Sequence, residues 1–279
     1  MLRAAAVATA RLVASFGYAH ADEIKLGGTG AAQGTVNRLA EAFERSNPSD
    51  KVVLIGGLGS GGGIVAVSEG ALDLAVSSRE LKPDERAKGL QAAPMFETPF
   101  VFVTSHPERQ NLSKTQVVAI FDEALTAWPD GKAIKIVLRP KSDTVTSYLH
   151  ANFEGMQAAM DKLRLRRDIP VAPTDQDSAE LAEKTPNSFA AATLAQIVTE
   201  GPRLRLVDLD GRSASVEAME SGSYPLKLKM LLISKQPSPA ANRFIQFLRS
   251  DEAKRIFRES GSVSLLDGRV ADARSGESR

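Results

Sequence analysis

Short apolar runs alternate with stretches of helical periodicity in the first third of the chain. Runs at residues 23–27, 51–55 and 72–76 predict three strands. After the first run, Val36 and Leu39 begin a helical spacing of apolar residues, and shorter helical stretches follow the other two runs. An alternation of strands and helices is typical of a sheet with largely parallel strands, so we predict an α/β fold.

Two longer apolar segments, 95–104 and 224–234, predict extended chain that is long enough to pass between two lobes. A chain that leaves a lobe and later returns to it makes a hinge of two crossing segments, with a cleft between the lobes. The predicted division of the chain is 1–21 as a signal peptide, 22–99 plus 228–270 as lobe 1, 100–227 as lobe 2 and 271–279 as a polar tail.

The remaining chain holds fewer clear patterns. Apolar runs at 134–138 and 204–209 predict two more strands. Ser113 and Gln116 have the spacing of a capping box ahead of an apolar stretch and predict the start of a helix. Apolar residues repeat at helical spacing from about residue 239 to residue 260, which predicts one long helix near the C-terminus.

Loops rich in small residues follow the three N-terminal strands, around Thr29, Ser60 and Ser78. In open α/β sheets, ligands bind beyond the carboxyl ends of the strands. Small residues let backbone N–H groups approach a ligand, and hydroxyls add donors. A simple turn is the alternative for each loop, because glycine often follows a strand for that reason alone.

A different pattern follows the strand predicted at 134–138. Arg139 ends the apolar run, and Ser142, Asp143 and Thr144 precede a helical stretch. The N-terminus of a helix attracts anions because its backbone N–H groups are unpaired and its dipole end is positive. Arginine adds a fork of donors that matches an oxyanion. The alternative is a Ser or Asp N-cap beside a surface arginine.

The amino-acid composition excludes some kinds of chemical site. The 279 residues include no cysteine, which excludes disulfides and thiolate chemistry. With three histidines in all, a zinc site built from several histidines is not expected, and we predict neither a metal nor a cofactor.

The N-terminus has the pattern of a secretory signal. Arg3 and Arg11 supply positive charge, residues 12–19 are mostly apolar, and Ala19 and Ala21 fit the small residues of a cleavage site before residue 22. We therefore predict a periplasmic protein. Because Arg11 interrupts the apolar stretch, an amphipathic N-terminal helix is the alternative. Without the two arginines, the 35 basic residues become 33 against 34 acidic ones, and this near neutrality argues against a nucleic-acid partner.

Six short motifs, taken in order, resemble the phosphate-binding proteins of bacterial ABC transporters, which have the type II periplasmic binding protein fold. Each motif is weak alone, but their order and spacing cover nearly all of the chain after the predicted signal. The motifs are Gly28-Thr29-Gly30, Gly57-Leu58-Gly59-Ser60-Gly61-Gly62, the stretch 72–81, Arg139 with Ser142 and Thr144, the stretch 221–226 and the stretch 244–250.

The resemblance implies a binding protein, not an enzyme, that holds phosphate or a similar oxyanion through backbone N–H groups, hydroxyls and an arginine. It also implies a monomer that delivers its ligand to an ABC permease. The ligand-binding positions that it implies here are Thr29, Gly30, Ala31, Ser60, Ser78, Arg139, Ser142, Asp143 and Thr144.

The chain departs from the family pattern at two of these positions. Some members have an aspartate where this chain has Ser78, and the usual serine-glycine-threonine is Ser142-Asp143-Thr144. We expect Asp143 to accept a hydrogen bond from protonated phosphate and so to reject sulfate. The open alternative is that Asp143 caps its helix and pairs with Lys141 or Arg139.

Other functions fit the sequence less well. Gly57 to Gly62 match a dinucleotide-binding fingerprint, but the acid that binds ribose does not end the next strand. An exported serine hydrolase would need a histidine base near its nucleophile, and His106 and His150 are the only histidines after the predicted signal. A binding-protein fold that reports its oxyanion to a membrane receptor is a further alternative, which the sequence does not separate from transport.

Overall fold

The computed structural model describes residues 22–266, and the statements below concern this part of the chain. The predicted signal peptide and the predicted polar tail lie outside the described residues. The strands are β1 (Asp22–Gly28), β2 (Asp50–Ile55), β3 (Leu74–Ser77), β4 (Gln91–Thr104), β5 (Asn111–Leu112), β6 (Lys135–Ile136), β7 (Ser188–Thr193), β8 (Arg205–Leu209), β9 (Lys227–Ser234) and β10 (Val263–Ser264).

Helices cover both faces of the strands, and the fold class is the α/β class that the sequence predicts. A 3-10 turn (Gly30–Ala32) leads into the first helix. The helices are α1 (Gln33–Ser46), α2 (Gly59–Ser68), α3 (Pro83–Ala87), α4 (Lys114–Phe121), α5 (Thr144–Asn152), α6 (Met156–Leu163), α7 (Asp175–Lys184), α8 (Leu194–Glu200), α9 (Val216–Glu220), α10 (Pro239–Phe247) and α11 (Asp251–Glu259).

The three N-terminal strands are parallel, with β1 between β2 and β3. Leu26 lies opposite Leu54 on one side and opposite Leu74 on the other. The loops that follow these strands therefore emerge at one edge of the sheet, as the sequence predicts. The sheet as a whole is mixed, because β9 is antiparallel to β3 and β4 is antiparallel to β9.

Strand β4 connects two parts of the sheet. Its first residues pair with β9, where Ala92 lies opposite Ile233, and its last residues pair with β7 and β8, where Phe102 lies between Ala191 and Val207. β4 contains the predicted extended segment 95–104, and β9 begins three residues after the start of the predicted segment 224–234 and ends with it. The lobe boundaries assigned to them stay a prediction.

Buried aromatic residues fill the core on both sides of β4. Phe43 of α1 and Phe244 of α10 meet edge to face at 5.2 Å, and Phe102 stacks on Phe189 of β7 at 5.1 Å. All four side chains are fully buried, and burying a phenylalanine contributes about 1.5–3 kcal/mol.

No helix within residues 22–266 is long and apolar enough to cross a membrane.

Two predictions about helices have opposite outcomes. The capping box is confirmed, since the Gln116 N–H donates to Ser113 Oγ and the Ser113 N–H donates to Gln116 Oε1. The single helix predicted for 239–260 is wrong. The chain forms α10 and α11 instead, because Ser250 accepts from the Ala253 N–H at 3.1 Å and caps a new helix.

Candidate anion-binding site

A cavity of ≈ 370 Å³ lies where the loops after several strands meet the start of α7. Six of the predicted ligand-binding residues line it, namely Gly30, Ser60, Arg139, Ser142, Asp143 and Thr144. Thr29, Ala31 and Ser78 lie next to this lining without belonging to it. The cavity is also lined by residues that the sequence prediction did not include, among them Arg79, Lys82, Thr174, Asp175 and Gln176.

Three helices begin at this cavity. Gly59, Thr144 and Asp175 are the first residues of α2, α5 and α7, and each of them lines the cavity. The first backbone N–H groups of a helix have no partner within it, and the helix dipole is positive at that end. The three helix N-termini therefore contribute positive dipole ends to this cavity, which favours a bound anion.

Glycine suits the loops for two different reasons. Gly57 and Gly59 have positive φ angles of 77° and 63°, a conformation that other residues rarely adopt. Gly30 is constrained by space, because a Cβ at this position would lie 2.4 Å from Oε1 of Gln176. The glycines thus shape the loops and permit a close approach to α7.

Three hydroxyl groups form a chain beside the cavity. Ser78 Oγ lies 3.1 Å from Ser60 Oγ and 2.7 Å from Thr144 Oγ1. The Ser78 N–H also donates to Ser60 Oγ at 3.0 Å. This chain connects α2, the loop after β3 and the start of α5. Ser60 and Thr144 are the members that reach the cavity.

Arg139 is the buried cation of the site, with 5% of its surface exposed. Its Nη1 donates to the Ala172 carbonyl at 2.8 Å, and its Nη2 donates to Asp143 Oδ2 at 2.8 Å. Its Nε–H is buried and has no hydrogen-bond partner within the described residues. Buried donors are nearly always paired in native proteins, so the unpaired Nε–H leaves this guanidinium, on a residue that lines the cavity, with one donor still to be satisfied.

The backbone holds Arg139 in place. The predicted strand 134–138 is shorter than expected, since only β6 pairs regularly with β7, and Leu138 adds a single bridge to Val171. Arg164 Nη2 donates to the Arg139 carbonyl at 2.7 Å. Arg164 therefore helps to hold the backbone of Arg139 in position.

Asp143 is the N-cap of α5. Its Oδ1 accepts from the Val145 N–H at 2.9 Å, and its Oδ2 accepts from Arg139. These are the contacts of the capping alternative, with Arg139 as the partner, while Lys141 pairs with Asp161 instead. Since Asp143 also lines the cavity, its contact with a ligand stays a prediction.

The first loop already has partners for two of its N–H groups. The Thr29 N–H donates to the Val76 carbonyl at 2.9 Å, which continues the sheet. The Ala31 N–H donates to Asp175 Oδ2 at 3.0 Å. In this arrangement Gly30 is the residue of the first loop that faces the cavity.

Asp175 is the most important residue that sequence reasoning missed. It is 8% exposed, and burial raises the pKa of its carboxyl group, with Arg139 lowering that pKa and Asp143 raising it further. A signal for α7 exists in the sequence, because Thr174 and Asp177 form a capping box. No local signal indicates that Asp175 meets Arg139.

Arg79 lines the cavity, but its guanidinium already forms an ion pair with an acidic side chain. Its guanidinium binds both carboxylate oxygens of Glu85 at 2.7 and 2.8 Å, and this pairing lowers the pKa of Glu85 to about 2. Glu80, the residue that follows Arg79 in the chain, pairs with Arg86 instead.

The two histidines lie away from the cavity lining. His106 is buried, and its Nε2 lies 3.1 Å from Asp130 Oδ2, while His150 has no partner for its buried Nε2 within the described residues. Residues 22–266 contain no cluster of histidine and acidic side chains that could hold a metal ion.

The fold is that of a periplasmic-type solute-binding protein, and a comparison with protein families agrees. The chain belongs to the family described as the PBP superfamily domain, which matches residues 14–252. This is a family of substrate-binding proteins.

Among curated proteins, the chain is similar to the phosphate-binding protein PstS of Borreliella burgdorferi. The two are 20% identical over 252 residues, which cover 87% of this chain and 90% of the relative. The chain is also 30% identical to the phosphate-binding protein PstS 2 of Streptococcus pneumoniae, over 101 residues that cover 36% of this chain and 34% of that protein.

Among solved structures, the chain resembles a putative phosphate ABC transporter substrate-binding protein with bound phosphate from Clostridium perfringens. The TM-score is 0.76 at 18% identity, with 88% of this chain and 100% of that chain covered. The Azotobacter vinelandii periplasmic molybdate-binding protein has a TM-score of 0.60 at 17% identity, with 86% and 98% covered. At these identities the similarity shows the fold, and the predicted two-lobed type II fold is confirmed.

Proposed function

We propose that this protein is a solute-binding protein that captures phosphate, or a related tetrahedral oxyanion, for an ABC importer. One observation carries the proposal. Arg139 is buried at a cavity where three helices begin, and its Nε–H has no partner within the described residues. A dehydrated anion is the ligand that unpaired N–H donors and a buried guanidinium would bind.

The proposed roles follow from what each residue presents to the cavity. Arg139 supplies the charged donor, and the backbone of Gly30 and the start of α2 supply N–H groups. Ser60, Ser142 and Thr144 supply hydroxyl groups, of which Ser60 and Thr144 are already joined through Ser78. We propose binding without covalent chemistry, in keeping with the family of substrate-binding proteins to which the chain belongs.

The proposed lobes are 22–99 with 228–270 and 100–227, joined by β4 and β9. Residues on both sides of this division line the cavity, for example Ser60 and Arg139. A ligand that contacts both lobes favours the closed arrangement, because it gains those contacts only there.

The relatives support phosphate as the first candidate, since the names of the curated relatives refer to phosphate binding. The molybdate-binding protein of the same fold keeps other tetrahedral oxyanions open as ligands.

We also propose that the protein is exported to the periplasm after cleavage before Asp22, that it is a monomer and that it delivers its ligand to a membrane permease. N-terminal sequencing of exported protein checks the cleavage, and a chain that still begins at Met1 would refute it.

Calorimetric titration of the mature protein with phosphate, sulfate, arsenate and molybdate tests the function. We expect phosphate to bind and at least one other oxyanion to be rejected. The absence of binding to all four anions would overturn the proposal.

A further inference from the structure

Asp175 connects two loops that are distant in sequence. Its Oδ2 accepts from the Ala31 N–H at 3.0 Å, and its Oδ1 lies 3.7 Å from Nη2 of Arg139. The side chain is buried, and it lines the cavity. The Asp175 carboxylate thus faces both the first loop and Arg139, the residue that is proposed to bind the anion.

Neighbouring side chains hold Asp175 in this position. Gln196 Nε2 donates to the Asp175 carbonyl at 3.0 Å, and Gln176 Nε2 donates to the Gly30 carbonyl at 2.9 Å. Both bonds are partly or fully buried. The contact between Asp175 and Ala31 is therefore part of a network and does not depend on a single flexible side chain.

The charges around Arg139 do not balance. Asp143 and Asp175 both face the same Nη2 group, so two carboxylates share one guanidinium. Burial raises the pKa of Asp175, and the Asp143 charge adds to this effect. An external anion that enters the cavity must approach this second carboxylate, and like charges at short distance repel each other in a poorly solvated site.

We propose that Asp175 is a tethered competitor of the ligand, which takes up the Ala31 N–H and part of the Arg139 charge and is displaced when an oxyanion binds. The inference rests on the proposed function. The same carboxylate also joins the two proposed lobes, because Ala31 belongs to 22–99 and Asp175 to 100–227. An oxyanion that displaces it takes over both its donors and its position between the lobes.

The proposal predicts the effect of removing the charge. Asp175→Asn keeps the size of the side chain and an oxygen that can accept from the Ala31 N–H, but it removes the negative charge. Asp175→Ala removes both the negative charge and the oxygen that accepts from the Ala31 N–H. We expect inorganic phosphate to bind both variants about tenfold more tightly than the parent, or tighter still, which corresponds to about 1.4 kcal/mol or more.

Asp177→Asn is the matched control. Asp177 lies in the first turn of the same helix, but its carboxylate bonds to Thr174 and does not line the cavity. If general charge at the start of α7 governed binding, this variant would gain affinity as well. We expect its affinity for phosphate to equal that of the parent.

A second measurement needs no ligand. In phosphate-free buffer, we expect hydrogen exchange at the Ala31 amide to be slow in the parent and in Asp177→Asn, and faster in Asp175→Ala, because the Ala31 N–H loses its acceptor. Exchange at Ala31 that is equally slow in Asp175→Ala would overturn the contact on which the proposal depends.

The results separate this proposal from the proposed function. If the parent binds phosphate and the Asp175 variants bind it equally or more weakly, the competitor role is overturned while the function stands. If the parent and all variants fail to bind any of the four oxyanions, both are overturned.

Discussion

The hydroxyl of Ser78 lies 2.7 Å from the hydroxyl of Thr144, and this hydrogen bond joins the loop after β3 to the first residue of α5. The two residues belong to different predicted lobes, and 66 positions separate them in the chain. The bond lies beside the cavity, in line with Ser60. It is therefore a direct link between the halves that are proposed to close on the ligand.

Thr144→Val tests this link with little change in shape. The variant keeps the size of the side chain but removes the hydroxyl that bonds to Ser78, at a cost of about 0.5–1.5 kcal/mol to the closed arrangement. We expect a larger radius of gyration at partial saturation, which reports on the link, and weaker phosphate binding, to which the loss of the proposed ligand hydroxyl of Thr144 also contributes. Isothermal calorimetry and small-angle scattering measure the two effects.

Ser147→Ala is the control for this variant, because Ser147 has an exposed hydroxyl on the same helix and, among residues 22–266, bonds only to the Asp143 carbonyl. A parent protein whose radius of gyration is the same with and without saturating phosphate would contradict closure about β4 and β9.

Arg139→Ala removes the buried cation. The loss of a charge-assisted hydrogen bond to a buried anion is typically about 1.5–3 kcal/mol. We therefore expect the dissociation constant for phosphate to rise about tenfold or more. Arg203→Ala serves as the control, since Arg203 is 90% exposed and pairs with Glu183. Unchanged affinity in Arg139→Ala would place the site elsewhere, and Arg79 would be the next residue to test.

Asp143→Asn addresses the choice between ligand contact and helix capping. Asparagine is as good an N-cap as aspartate, so the bond to the Val145 N–H is kept while the charge beside Arg139 is lost. If Asp143 accepts the proton of phosphate, sulfate binding should appear or strengthen while phosphate binding weakens. Parallel titrations with the two anions measure this ratio. An unchanged ratio would leave Asp143 as a cap and as a partner of Arg139.

Asp175 should make stability depend on pH in a defined direction. Burial raises the pKa of Asp175 in the folded protein above its value in the unfolded chain. The folded state therefore favours the protonated carboxyl, and this contribution to stability is present below the unfolded pKa and lost as the pH rises through the folded pKa. Asp175→Asn should raise the free energy of unfolding more at about pH 7.5 than at about pH 3.5.

Urea unfolding of the parent and the Asp175→Asn variant at both pH values measures this difference, with Asp177→Asn as the control. A gain in stability that is equal at the two pH values, or larger at the acidic one, would contradict the raised pKa. This measurement uses no ligand, so its result is independent of the proposed function.

The elements that the sequence predicts correctly are those with local causes. The strands β1 and β2 follow from their apolar runs, and the start of α4 follows from the Ser113–Gln116 capping box. The positions of the glycine-rich loop and of Arg139 after a strand also come from short-range patterns. These features depend on residues within one or two turns of each other, so the chain around them determines them.

The segment between residues 169 and 200 received no prediction, although it contains α7, β7 and α8. Half of β7 is alanine, a residue that is depleted in strands. It forms a strand because β4 and β6 pair with it on either side. The break between α10 and α11 has no counterpart in the apolar pattern, because the helical spacing of apolar residues continues past Ser250. The backbone nevertheless ends α10 at Phe247 and begins α11 at Asp251.

The sequence by itself determined the α/β class, the order of the loops that reach the cavity, and Arg139 as the candidate anchor. Only the tertiary structure decided that Asp175 meets both Ala31 and Arg139, that Arg79 is held by Glu85, and that Ser78 bonds to Thr144. The physical reason is distance along the chain. Strand pairing and burial bring these groups together, and charge and pKa depend on neighbours that no local pattern identifies.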